Sequence, residues 1–100
     1  MAVIKDRRGR KVTLSERRWD HIVRRHPALD GFDLAVKTAI EVADTRRDGN
    51  GPGIEKLFAH NLGPAKWLVV VVAYDLAAGT GDVLTAYPQS KDPQPESEEA

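Results

Sequence analysis

Two of the three histidines stand five residues apart in His21-Ile22-Val23-Arg24-Arg25-His26-Pro27, with guanidinium groups between them. Imidazole can take and give a proton near neutral pH, and arginine or lysine stabilises charge that develops on a phosphate. The pairing therefore fits phosphoryl transfer assisted by proton transfer. Residues five apart on a helix point about 140° away from one another. His21 and His26 are thus not placed to chelate zinc as an i, i+4 pair would be. Glu16 and Asp20 sit among arginines, and no second acidic cluster offers oxygen ligands, so no metal is expected. The plainer alternative for His26 is a structural one, in which it lies in register with Trp19 and hydrogen-bonds the helix end. His21 falls off the apolar stripe, where it is available to a ligand but equally an incidental surface residue.

A second set of polar side chains follows from strand parity. Alternate residues of a strand face opposite ways, so Lys56, Phe58 and His60 share one face of a strand while Leu57 and Ala59 share the other. In the last strand the same rule assigns Leu84 and Ala86 to the core and Val83, Thr85 and Tyr87 to the opposite face. If the two strands are neighbours, one open face carries an ammonium, an imidazole, a hydroxyl and a phenol. The alternatives are a β-branched strand former on a wet face for Thr85 and a turn-flanking surface residue for His60. Phe58 and Tyr87 are the candidates for base stacking, too few for sequence-tolerant binding of single strands.

The elements that must carry these residues are short. Thr13-Leu14-Ser15-Glu16 has the spacing of a capping box, which predicts a helix capped by Thr13. Trp19, Ile22 and Val23 form its buried stripe, and Pro27 ends it because a residue before proline avoids the α region. A second helix is predicted over 32–42, burying Phe32, Val36, Ala39, Ile40 and Ala43. Beyond Asp44 the pattern changes to strands: a weak one at 45–48, then 54–60, 66–75 and 81–87, separated by glycine-rich turns. The valine run at 69–72 reads as a central strand covered on both faces. Residues 1–12 read as a basic N-terminal arm or short hairpin around Arg8-Gly9-Arg10, 13–88 as a single domain, and 89–100 as a disordered acidic tail. The expected fold is α+β, with two N-terminal helices packed on one face of a three- to four-stranded antiparallel sheet.

Composition bounds the function classes. One hundred residues form one core, and the absence of cysteine removes disulfides, thiolate metal sites and thiol nucleophiles together. The start is charged by its fifth residue and lacks a signal-peptide apolar stretch, and no apolar run is long enough for a bilayer, so a cytoplasmic protein without membrane contact is expected. The net charge of zero conceals an asymmetry. Asp92, Glu96, Glu98 and Glu99 fall in the last nine residues, and without them 15 basic groups face 11 acidic ones. Such a distribution suits a polyanion, although arginine and lysine also simply coat solvated faces.

The residues Arg18-Trp19-Asp20-His21-Ile22-Val23-Arg24-Arg25-His26-Pro27, a strand with Lys56, the valine strand and Val83-Leu84-Thr85-Ala86-Tyr87 resemble the phage- and toxin-associated nucleases of the barnase, EndoU, colicin and RelE superfamily. The resemblance covers about 13–88. It implies helices on one face of an antiparallel sheet and metal-independent RNA cleavage on or beside the open face. Position by position, His21, Arg25 and His26 match the helical signature, Lys56 the basic strand position, where an arginine is common, and Thr85 and Tyr87 the terminal strand. It also implies RNA as substrate and a neutralising antitoxin or immunity protein as partner.

The residues themselves suit an endoribonuclease in which the ribose 2′-hydroxyl is the nucleophile, leaving a cyclic phosphate and needing no cofactor. A histidine or Tyr87 would be general base, a second histidine general acid, Arg25 and Lys56 would hold the phosphate, and Thr85 would donate to a non-bridging oxygen. Arg18, Arg24 and His60 complete the expected substrate-binding set. A non-catalytic module for RNA or an acidic protein, or an inactive phage or accessory protein of the same fold, would account for the same charges.

Overall fold

The computed structural model describes residues 1–95. The chain opens with a hairpin of β1 (Ala2–Lys5) and β2 (Lys11–Leu14), followed by α1 (Glu16–Arg25), a 3-10 turn (Pro27–Leu29) and α2 (Asp33–Val42). Four strands complete it: β3 (Thr45–Asp48), β4 (Ile54–His60), β5 (Trp67–Asp75) and β6 (Thr80–Gln89). They form one six-stranded mixed sheet in the order β1-β2-β6-β5-β4-β3.

This corrects the expected three- to four-stranded antiparallel sheet with N-terminal helices. Of the two readings of the first twelve residues, arm or short hairpin, the structure has the hairpin, and it belongs to the sheet. Ile4, Val12 and Leu14 are buried, so the hairpin contributes its apolar face to the core, and β2 pairs in parallel with β6 at Lys11–Thr80, Val12–Gly81 and Thr13–Asp82. The helices therefore follow two strands rather than opening the chain. Gly9, at φ +83°, closes the hairpin in a left-handed conformation that a side chain would disfavour.

The helix start is also corrected. Thr13 belongs to β2, and Ser15 caps α1, its hydroxyl accepting from the Arg18 amide at 3.1 Å. Moving the cap to Thr13 would pull Leu14, only 4% exposed, out of the core. Helix α1 buries Ile22, and α2 buries Val36, Ala39 and Ile40. Opposite them lie Leu57 and Ala59 of β4, Leu68, Val70 and Val72 of β5, and Val83 and Ala86 of β6. Among the described residues no helix is long and apolar enough to cross a membrane.

The parity of β6 departs from strict alternation. Val71 pairs with Thr85 but Val72 pairs with Val83, so Leu84 is an inserted bulge residue. Val83, expected on the open face, is instead 3% exposed beneath the helices, and Leu84, expected in the core, is half-buried. Thr85 and Tyr87 lie beyond the bulge and keep the face assigned to them.

The tail expectation divides. Gln89 ends β6, and residues 90–95 lie against the sheet, where Trp67 Nε1 donates to Asp92 at 3.0 Å and Arg47 Nε donates to the Gln94 carbonyl at 2.6 Å. The remainder of the expected disordered segment, 96–100, lies outside the described residues.

Candidate functional site

On the sheet face away from the helices, registry sets the side chains in three rows. Lys56, Val71 and Thr85 form one, Phe58, Val69 and Tyr87 the next, and His60, Trp67 and Gln89 the third. From β3, Arg47 extends the first row and Thr45 the second. Lys56 and Thr85 thus share a face, but β5 runs between their strands, so their backbones stand about 10 Å apart across two strand spacings. The condition that the two strands be neighbours is not met, although the shared face is.

The floor of this face is apolar. Val69 is 0% and Phe58 5% exposed, and the Trp67 ring meets Phe58 edge-on at 6.3 Å between centroids. Phe58 is therefore a floor residue, and the half-buried Tyr87 and Trp67 are the accessible aromatic groups. Around the floor opens a groove of about 780 Å³, lined on the sheet side by Arg47, Lys56, Phe58 and Tyr87 and on the other by Asp92, Gln94 and Pro95.

His26 reaches this face around an edge of the sheet. β2 pairs with β6 only as far as Asp82, so among the described residues β6 has no strand partner on that side from Val83 onward, and α1 and the 3-10 turn pack against it. The residue before Pro27 leaves the helix: His26 has φ −132° and ψ 76°, and its amide still donates to the Ile22 carbonyl at 2.8 Å. Its ring stands 5.9 Å from that of Tyr87, tilted by 41°. Burial pushes the Tyr87 phenol above its ordinary value, so it holds its proton through neutral pH.

The remaining expected site residues are spread out. His21 is half-buried on α1, five positions before His26. Arg24 and Arg25 are exposed on the last turn of α1, beside His26 in sequence. Arg18 lies near the helix start, about 12 Å along the axis from His26 at 1.5 Å per residue. His60 is exposed at the far end of the face, stacked on Trp67 at 4.8 Å between ring centroids. The structure thus brings together His26 and Tyr87, with Lys56 and Thr85 on the same face, and leaves the other basic residues on the periphery. Arg47 and Trp67 were missed. Drawing Arg47 opposite Lys56, and extending the parity of Val69 and Val71 back to Trp67, would have found both.

A second polar cluster lies on the helix side of the sheet. Asp6 accepts from the Arg8 and Arg10 amides, from Arg10 Nε at 2.8 Å and from the Tyr74 hydroxyl at 2.7 Å. Arg10 then donates both terminal nitrogens to Glu55, at 3.1 and 2.9 Å, and Arg46 Nε adds a third bond at 3.0 Å. The Arg10 guanidinium lies 3.6 Å over the Tyr74 ring. Burial opposes ionisation of both carboxylates, but hydrogen bonds from Tyr74 and Arg10 hold Asp6, and those from Arg10 and Arg46 hold Glu55, below their ordinary values. Among the described residues no buried side-chain nitrogen or oxygen lacks a hydrogen-bond partner, and the bonds here join the hairpin to β4 as a clamp.

Among the described residues no group of three or more His, Asp or Glu is arranged to hold a metal. No family model, curated protein or solved structure matches the chain.

Proposed function

We propose that the protein is a metal-independent, toxin-like endoribonuclease acting in the cytoplasm, whose site lies where His26 meets Tyr87 at the rim of the open-face groove. The observation that carries this reading is the ring pair at 5.9 Å, beside a groove lined by Arg47 and Lys56. The resemblance of 13–88 to the barnase, EndoU, colicin and RelE nucleases points the same way.

His26 takes the proton of the ribose 2′-hydroxyl, and the oxygen attacks the adjacent phosphorus. The bond from phosphorus to the 5′-oxygen breaks, and Tyr87, protonated because burial raises its phenol, gives its proton to the departing oxygen. The products are a 2′,3′-cyclic phosphate and a 5′-hydroxyl, after which solvent carries the proton from His26 back to Tyr87. Lys56 and Arg47, two and three strands from β6, offset the charge of neighbouring phosphates of the strand lying in the groove, and the Thr85 hydroxyl lies in the same row as Lys56. In this reading Tyr87 supplies the acid in place of a second histidine, because its ring is the one paired with His26, whereas His60 lies on β4, two strands from β6. Arg24 and Arg25 lead RNA toward the edge at His26, and a protein inhibitor of this activity would cover that edge.

The test is incubation of end-labelled RNA with purified protein in excess EDTA, beside His26→Ala, Tyr87→Phe and Lys56→Ala and a 2′-deoxy control. Cleavage to cyclic phosphate ends, reduced about 10²- to 10⁴-fold in the first two variants and absent on the deoxy strand, is expected. Full cleavage by His26→Ala would overturn the assignment.

A further inference from the structure

From Gln89 at the end of β6 the chain does not leave the sheet but crosses its open face. Asp92 is bonded beside β5 and Gln94 beside β3. Three strand spacings are about 14 Å and five residues reach about 17 Å when extended, so the segment crosses the face and the long Arg47 side chain meets it at Gln94. Pro88, Pro93 and Pro95 suit this path, because proline lacks the amide needed to add another strand and favours extended backbone.

The polarity of the contacts is one-sided. Lys66 Nζ lies 2.7 Å from the Asp92 carboxylate, the Trp67 indole N–H donates to the same oxygen at 3.0 Å, and Arg47 donates to the Gln94 carbonyl. The face supplies donors and the segment supplies acceptors. A phosphodiester backbone is likewise an acceptor of hydrogen bonds and carries negative charge, and the His60–Trp67 ring pair beside Asp92 offers a surface on which a base can stack.

We propose that Lys66, Trp67 and His60 form a phosphate-and-base subsite for the polynucleotide, and that the chain's own Asp92 fills it, so that residues 90–95 compete with substrate within the molecule. This rests on the reading of the groove as an RNA site and adds to it a subsite and a built-in competitor. The Lys66 and Trp67 bonds hold the Asp92 carboxyl below the usual carboxylate range, so it stays ionised and keeps its grip at neutral pH. A strap closed in about 80–90% of molecules raises the apparent Kd about five- to tenfold.

The experiment uses full-length protein and a fluorescein-labelled 2′-O-methyl RNA decamer, which binds but cannot be cleaved, read by anisotropy at several salt concentrations. Asp92→Ala should bind about five- to tenfold more tightly than the parent, with a salt dependence steeper by roughly 0.7 for the added phosphate contact. Adding Lys66→Ala to Asp92→Ala should abolish that gain. In parallel, the Trp67 indole proton resonance, assigned with Trp19→Phe, should move on Asp92→Ala and again when the decamer is added. Unchanged affinity in Asp92→Ala, or a double variant as tight as Asp92→Ala, while the parent binds and cleaves RNA, overturns the strap and leaves the ribonuclease reading standing. Failure of every protein to bind overturns both.

Discussion

Replacing Arg10 by methionine tests whether the buried clamp holds the hairpin to the sheet. The substitution keeps most of the side chain's volume but removes the bidentate bond to Glu55, the bond to Asp6 and the stacking on Tyr74. Breaking a buried pair by deleting one partner costs about 3–5 kcal/mol, because the other charge is left desolvated. The low end applies, since Asp6 keeps two backbone amides and the Tyr74 hydroxyl, and Glu55 keeps Arg46. A loss of about 3 kcal/mol lowers the Tm of a domain this size by roughly 12–24 °C.

The pH dependence distinguishes this from a simple packing defect. In the parent both carboxylates sit below their ordinary values. They therefore contribute stability that is present above about pH 4 and lost as pH falls through their folded values. In Arg10→Met burial acts on Glu55 with one guanidinium fewer, so its folded value rises. Protonation then relieves the variant while it harms the parent. Urea melts from pH 7 to pH 4 should show the stability gap narrowing steadily. A gap under about 1 kcal/mol at pH 7, the range of exposed ion pairs, or one that is constant with pH, would refute the reasoning.

Ile22→Val, deleting one methylene at a fully buried position of α1, should cost about 1 kcal/mol in the same melts. Gly53→Ala should cost more than Gly31→Ala, although both glycines have positive φ. An added Cβ would lie 2.7 Å from the Tyr74 carbonyl at Gly53 and meet nothing within 4 Å at Gly31, and equal Tm values would contradict this. If Tyr87 is the general acid, its raised phenol places the alkaline fall of kcat/KM above about pH 10, once background hydrolysis is subtracted, and Tyr87→Phe should lose that limb. A limb at or below the ordinary phenol value would remove Tyr87 from this role.

Local patterns read well from the sequence, and pairings across the chain did not. Helix α2 and strand β4 follow from apolar spacing alone, and each lies within a residue of where that spacing puts it. The parallel pairing of β2 with β6 joins residues about seventy positions apart, and nothing local in Lys11-Val12-Thr13-Leu14 announces it. Two patterns compete at Thr13, a capping box and a strand alternation, and the buried Leu14 decides for the strand. The bulge at Leu84 is invisible to an alternation rule because one inserted residue reverses the parity on one side of it. At the site, alternation put Lys56, Thr85 and Tyr87 on a common face. It could not show that β5 separates them, nor that Asp92 turns back across that face.

The meeting of His26 with Tyr87 follows from two lengths. β2 is four residues long and pairs with β6 only to Asp82, after which α1 continues along the same edge. The ten residues of α1 advance about 15 Å at helical rise, while β6 from Asp82 to Tyr87, four paired steps once the bulge at Leu84 is discounted, advances about 14 Å at strand rise. A helix in place of a longer β2 therefore covers almost the same distance and ends level with Tyr87. Pro27 stops it there, and Leu29, fully buried in the following turn, fixes the exit. A longer β2 would have paired this edge and excluded an imidazole from it. The clamp at Arg10 and the ring pair at the sheet edge do not share a residue. Arg10→Met should thus lower stability while the folded fraction still cleaves RNA, whereas Tyr87→Phe, which removes only a hydroxyl at a half-buried position, should do the reverse.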